Sequence, residues 1–394
     1  MMKLSPEFLL AAACCRWPPG SERNRAVQAA ATGVDWTKLL AVARRQRVEG
    51  LVNLALRQAA VSPPDEIAAD LSRAAAEIAR TNLTFVAESG RLLRIFENAS
   101  IAALFVKGAT LDMLAYGSIA YKRARDIDIL IRPEQLLAAC TLLLDAGYQR
   151  VVPGPEIGSD RFERWVALCK ETSWLHRQSG IIVEIHTGLV DAPELLAGID
   201  ADSPRQQVEV APGLALPTLR TEELFAYLCV HGATHAWARL KWIADLGALL
   251  SRHAPDAIEH LYRASLPLNA GRPAAQALLL CHQLFATPLP ELLLAELRSN
   301  PVNRRLVSVA LGVMAGRRSG SELDDTILGT LPIHLSHFLL AEGWRYKGAE
   351  LGRKLRSHED QARIRLPRPL AFLYPVIAVP SWLWRRVKGP APIH

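Results

Sequence analysis

Asp126 and Asp128 sit one residue apart in the run Asp126-Ile127-Asp128-Ile129-Leu130-Ile131. In an extended strand, side chains two positions apart share a face, so both carboxylates project side by side while Ile127 and Ile129 turn into a core. Two carboxylates held that close repel one another unless a cation lies between them. The hard cation that suits an oxygen-rich site is Mg²⁺ or Mn²⁺, and the chemistry this suggests is phosphoryl or nucleotidyl transfer. Farther along, residues 180–189 read GIIVEIHTGL, a second β-branched run in which Glu184 and His186 alternate. Glu184 is the candidate third carboxylate, supplied by a neighbouring strand, with His186 on the same face. Taken singly, an Asp-x-Asp strand also reads as a solvated or ion-paired edge, and His186 as a structural strand-end histidine.

Cationic groups accompany the acids. Lys107, Arg123 and Arg125 lie close to them in sequence and could neutralise phosphate charge, Arg through a planar fork and Lys as a point charge. They read equally as a solvated loop that balances the acids. His231 and His235 are four apart and share one helix face. They could ligate a metal, but no acidic residue lies between them as in His-Glu-x-x-His sites. Otherwise they line a cleft opposite the sheet or are satisfied core histidines, and Lys241 and Asp245 go with the cleft reading.

The succession of a short apolar strand, the Lys107-Gly108 turn, a helix, a basic segment and the Asp126-x-Asp128 strand, then the later Glu184 strand, resembles the nucleotidyltransferase superfamily that includes DNA polymerase beta. It looks specifically like the bacterial family of uncharacterised nucleotidyltransferases. That likeness extends to Gly147-Tyr148, to Glu184-Ile185-His186, and to the helical signatures at 228–235 and 240–246. It covers roughly residues 35 to 290. The resemblance implies Asp126, Asp128 and Glu184 as catalytic metal-holding carboxylates. Asp126 and Asp128 would hold the ion escorting the triphosphate, Asp128 and Glu184 the ion that lowers the acceptor's pKa. Lys107, Gly108, Arg123, Arg125, His186, His231, His235 and Lys241 would surround the nucleotide. Mg²⁺ (or Mn²⁺) and an NTP donor, by default ATP, are the implied cofactors. The acceptor is open among a small molecule, a peptide and RNA. Lys107-Gly108 replaces the usual Gly-Ser, so the phosphate-holding serine is missing and Lys107 is its candidate substitute. A catalytically inactive nucleotide- or partner-binding protein on the same fold is the alternative reading.

The elements that must position these groups follow from periodicity. The expected class is α+β, a small mixed β-sheet nucleotidyltransferase core with a helical N-terminal layer and a C-terminal helical domain. Residues 1–98 read as helical, with residues 62–65 (Ser-Pro-Pro-Asp) as a helix start. The α/β core spans 99–217, with strands at 103–107, 126–131, 148–152, 172–177, 181–187 and 206–210 and helices at 109–116 and 133–146. A hairpin turn is expected at 177–180. Residues 218–362 read as a helical domain whose first helix is capped by Thr218 or Thr221, and 363–394 as a basic and apolar tail.

The 394 residues are 50% hydrophobic and 22% charged, ordinary for a globular chain long enough for several cores. The net charge of +7 and pI near 9.2 permit an acidic partner, but no basic tract is matched to aromatics, so DNA is not indicated. Six cysteines without Cys-x-x-Cys spacing suggest reduced thiols and a cytoplasmic location. The apolar run 8–15 reads as a helix rather than a leader. Residues 369–384 are apolar with basic flanks and two interrupting prolines, at 375 and 380. They are too short for a span and read as a segment that packs back on the protein, or as a peripheral membrane contact through 369–388.

Overall fold

The computed structural model describes residues 4–155, 157–316 and 330–355, with isolated positions between 366 and 380. The basic and apolar tail read at 363–394, with its membrane contact at 369–388, therefore lies almost wholly outside the described residues.

Five helices come first: α1 (Pro6–Cys14), α2 (Ser21–Ala30), α3 (Trp36–Gln46), α4 (Glu49–Gln58) and α5 (Asp65–Asn98). Two of the starts, those of α1 and α3, are capped by a side chain. Ser5 accepts from the Phe8 amide at the head of α1, and Asp35 accepts from the Lys38 amide at the head of α3, the N-cap pattern that satisfies otherwise orphaned N–H groups. Helix α5 is long and buries one stripe, from Leu71 and Ile78 through Val86 to Phe96, as expected of an amphipathic helix laid along a core.

The sheet follows, with β1 (Leu104–Phe105), α6 (Ala109–Tyr116), β2 (Asp126–Leu130), α7 (Leu136–Asp145), β3 (Tyr148–Val152), α8 (Ser159–Leu168), β4 (Glu171–His176) and β5 (Ile181–His186). Its order is β1-β2-β5-β4-β3. β2 and β5 run parallel, and the other pairs are antiparallel. A separate hairpin, β6 (Arg205–Ala211) and β7 (Leu214–Leu219), packs on β1 and α6. The α+β class with a small mixed sheet is as expected. α7 falls within the helix expected at 133–146, whereas α8 and β7 are additions to the expected elements.

Helices α9 (Thr221–Thr234), α10 (Leu240–Leu250), α11 (Pro255–Ser265), α12 (Gly271–Phe285), α13 (Glu291–Ser299), α14 (Pro301–Ala315), α15 (Leu331–His337) and α16 (Trp344–Leu355) complete the chain. The expected cap of α9 is corrected: Arg220 holds the N-cap position without a side-chain bond, and Thr221 is already inside the helix.

Two apolar cores flank the sheet. One joins α1–α4 with α9–α14 and reaches Leu104, Val106 and Leu130. The other lies beneath α5 and α7 and takes in Ile127, Ile129, Val183 and Ile185. Pinned between two cores, β2 and β5 have no freedom to slip, because a one-residue shift would turn their apolar side chains outward.

Candidate active site

The acidic strands meet in register. Asp128 pairs with Glu184 and Leu130 with His186 across the parallel β2–β5 ladder. Asp128, Glu184 and His186 each bring one donor atom to a common point, all within 4.8 Å of one another. His186 Nε2 lies 3.1 Å from Asp128 Oδ1 and 3.6 Å from Glu184 Oε2, while its Nδ1 faces Glu171 Oε2 at 3.4 Å. Asp128 is buried, and Lys107 Nζ sits 2.9 Å from its Oδ1. Burial alone would raise the Asp128 carboxyl, but Lys107 and His186 outweigh it and hold the group well below the usual carboxylate range. Asp126 stands one step outside this cluster. Burial and the neighbouring Asp128 push its carboxyl up to about 6, the signature of acids crowded without enough counter-charge. For His186, burial favours the neutral ring, yet Asp128 and Glu184 pull its pKa above the ordinary value. Two carboxylates, an imidazole and a further crowded acid form a donor set that fits a divalent cation.

Lys107 reaches Asp128 from the turn before α6. Gly108 there has φ 66°, a left-handed conformation that favours glycine. Thr110 Oγ1 closes the turn by donating to the carbonyls of Phe105 (2.9 Å) and Lys107 (3.1 Å).

The basic loop between α6 and β2 is held by a residue that gives no sequence signal. Asn82, buried in α5, donates to the carbonyls of Ile119 and Lys122 and accepts from the Ala124 amide. Lys122 is held by an ion pair of its own. It is buried between Asp112 (2.8 Å) and Asp245 (2.7 Å), and Tyr116 donates to Asp245. Asp245, expected in the cleft, does border it, but its carboxylate is engaged in this internal ion pair. Arg123 is tied to Glu77 at 2.9 Å, whereas Arg125 is exposed.

Two connected lobes open over the carboxylates. The smaller, about 180 Å³, is lined by Arg47, Arg125, Asp126, Asp128, Glu184 and Lys241 among others. The larger, about 770 Å³, continues past Glu184 and His186 between α9, α10 and the pair α15–α16. Its wall is aromatic: His231 and His235 pack 4.7 Å apart, each against Trp242. Burial first, and then the charge of Lys107, keep both rings neutral, His235 at about 4 and His231 well below its ordinary value. Among the described residues neither belongs to a cluster of three or more metal-donor side chains. Tyr227 flanks Lys107, its ring centroid 5.8 Å from Nζ. At the far end, Glu350 ties α16 to His337 of α15 (3.3 Å) and pairs within its own helix with Arg353 (2.9 Å) and Lys354 (3.3 Å). His337 Nε2 donates to the Thr234 carbonyl of α9 at 2.8 Å.

All the residues singled out in the sequence thus border one cleft: Lys107, Gly108, Arg123, Arg125, Asp126, Asp128, Glu184, His186, His231, His235 and Lys241. Sequence reasoning passes over Arg47, Asn82, Lys170, Glu171 and the α15–α16 network. These come from segments whose only local signal is amphipathic helix or strand end.

Residues 32–286 match the sequence model of a family described as Uncharacterised nucleotidyltransferase. No curated protein matches the chain.

Proposed function

This chain belongs to the uncharacterised nucleotidyltransferase family, and from that membership we propose that it moves a nucleoside monophosphate from an NTP onto a hydroxyl or phosphate oxygen of an acceptor bound in the large lobe. One observation carries the reading: Asp128, Glu184 and His186 converge, with Asp126 beside them, at the floor of a cleft. In the reaction the acceptor oxygen forms a bond to the α-phosphorus. The bond from that phosphorus to the α,β-bridging oxygen breaks, and pyrophosphate departs with the electron pair. Asp126, Asp128 and Glu184 would hold a divalent cation, Mg²⁺ or Mn²⁺, which would supply positive charge to the triphosphate and lower the acceptor's pKa.

The chain's own groups do the rest. Glu184, the carboxylate of the set with the more exposed side chain, is placed to take the proton of an acceptor hydroxyl. Lys107 keeps Asp128 ionised, and the neutral His231 and His235 with Trp242 offer the acceptor a flat, weakly polar wall. Such preorganised charge and positioning account for transfer without a covalent enzyme intermediate. The large lobe suits a small molecule or the end of a chain, with ATP as the default donor.

A second reading, nucleotide or partner binding without turnover, is favoured by Lys107 Nζ at 2.9 Å from Asp128, where an ammonium already supplies part of the charge a metal would bring. Calorimetry with each of the four NTPs and Mg²⁺ decides first whether the carboxylates bind a donor. Metal-dependent binding that disappears in Asp126→Asn/Asp128→Asn supports the transferase site. Unchanged binding in that variant would remove the carboxylates from it. Release of pyrophosphate with labelled nucleotide on an acceptor then separates turnover from binding alone.

A further inference from the structure

The cations of the cleft fall into two groups. Lys107 is paired with Asp128, Lys122 with Asp112 and Asp245, and Arg123 with Glu77. Arg47, Arg125 and Lys241 form no ion pair among the described residues, and all three line the small lobe beside Asp126. They come from three separate parts of the chain, and nothing in the catalytic strands requires them to meet.

Arg47 is put there deliberately by the backbone. It ends α3 with φ 58° and ψ 44°, in the left-handed region. Its own amide bonds to the Arg44 carbonyl and the Val48 amide to the Ala43 carbonyl, the helix-ending pattern in which glycine is the usual residue. An arginine accepts strain at this position. Its side chain reaches both lobes of the cleft. The segment is also fixed in place. Arg239 donates to the Arg45 carbonyl at 2.8 Å, the Leu240 amide donates to Gln46 Oε1 at 2.6 Å, and Gln46 Nε2 donates to the Met314 carbonyl at 2.7 Å. Gln46 thereby caps α10, the helix that carries Lys241, and locks it to the end of α3. Burial and the neighbouring Arg125 lower the Arg47 pKa to about 10, and burial and Lys122 bring Lys241 to about 8. Acids such as Asp126 and Asp245 share the lobe, but these three cations stay outside ion-pair distance of them and are left to meet a polyanion.

We propose that Arg47, Arg125 and Lys241 form a polyphosphate subsite that grips the β- and γ-phosphates of the donor, so that the N-terminal helical layer completes the nucleotide site. Two guanidinium forks and an ammonium suit several phosphate oxygens at once. The proposal rests on the transferase reading, because it places the leaving pyrophosphate in the small lobe and the acceptor in the large one. It also makes the site selective for triphosphates over monophosphates.

Arg47→Gly tests this without endangering the fold, since glycine is the residue this backbone conformation prefers. Calorimetry with Mg²⁺·ATP, inorganic tripolyphosphate and AMP is run on the wild type, on Arg47→Gly and on Asp126→Asn/Asp128→Asn. The expected result is an affinity for ATP and tripolyphosphate about ten-fold or more weaker in Arg47→Gly, with AMP binding unchanged and melting temperature equal or higher. Equal tripolyphosphate and ATP affinities in Arg47→Gly and wild type overturn the subsite. If ATP binding then still requires Asp126 and Asp128, the transferase site survives that failure. A weakened Arg47→Gly beside an unaffected carboxylate variant would instead support the anion subsite and overturn the carboxylate assignment. A wild type that binds neither tripolyphosphate nor ATP overturns the subsite.

Discussion

Asp128 and Glu184 are register partners on two parallel strands, although each arrives by a different route. β2 follows the basic loop that Asn82 holds, and β5 follows the tight hairpin from β4. Parallel neighbours need a long crossover, here supplied by α7, β3, α8 and β4. Because the side-chain period of a strand is two, the same register that pairs the carboxylates also brings His186 onto Asp128 and turns Ile127 and Val183 into the core. The acidic cluster and the apolar core are thus set by one and the same alignment.

Lys107 acts as a built-in counter-ion for that cluster, which predicts a particular response to metal. Lys107→Met leaves Asp128 buried with only His186 beside it, and should lower stability by about 3 kcal/mol in the absence of divalent ions. Adding Mg²⁺ should then raise the melting temperature of Lys107→Met more than that of the wild type, and chelation should reverse the gain. Equal Mg²⁺ shifts in the two proteins would show that the ammonium and the metal do not share a position.

Asn82 is predicted to be the clip of the basic loop. Asn82→Ala removes two donors and one acceptor that are satisfied inside the protein and should cost about 2–3 kcal/mol. Asn82→Asp keeps the acceptor for Ala124 but sets a carboxylate against two carbonyl oxygens, so it should be no milder. Hydrogen exchange should accelerate selectively over residues 118–125, with the β2–β5 ladder protected as before. Uniform acceleration across the sheet would mean that Asn82 supports the whole core instead.

The closure of α15 and α16 over the large lobe should depend on pH through Glu350. Burial opposes ionisation, but His337, Lys354 and Arg353 win and lower its carboxyl from 4.5 to about 2. A carboxylate depressed in the folded state contributes stability that is complete above its unfolded value and is lost as pH falls toward the folded one. The difference between wild type and Glu350→Gln, on the order of 2 kcal/mol, should therefore stay constant from pH 7 to 5 and shrink below about 4.5. Denaturant midpoints measured across that range check it; a gap that persists at low pH would sink the assignment.

How much of this is legible in the sequence depends on the length scale of each signal. The strands at 126–130 and 181–186 are readable because β-branched residues alternate with acids, and helix α6 falls on the expected 109–116 because Gly108 and Gly117 bracket it. β7 escapes notice because Pro217 sits within it, a residue that argues against a strand unless the strand lies at an edge, and β7 pairs with β6 alone. α8 spans ten residues, and its apolar stripe of Phe162, Trp165 and Val166 is little more than one turn long, too short to stand out. Asn82 and Arg47 are invisible for another reason. Their roles arise only when α5 and α3 pack against elements far along the chain, and a single Asn or Arg in an amphipathic helix carries no periodicity of its own.

Gly232 offers a last test, because its role opposes its helix propensity. In the last turn of α9, alanine should be favoured over glycine by up to about 1 kcal/mol. A Cβ at this position, however, would lie 2.4 Å from the ring of Trp237. Trp237 is fully buried and cannot retreat easily. Ala236 and Trp237 both adopt left-handed φ, 46° and 50°, and the Trp237 amide donates to the Gly232 carbonyl at 2.7 Å, folding the indole back onto its own helix. Overpacking of this kind costs about 1–3 kcal/mol, enough to outweigh the propensity gain. Gly232→Ala should therefore destabilise the wild type and become neutral or stabilising in a Trp237→Ala background, where the clash is gone. Denaturant titrations of the four proteins in that double-mutant cycle measure the coupling. If Gly232→Ala were equally harmful with and without the tryptophan, the glycine would owe its place to something other than the indole packed against it.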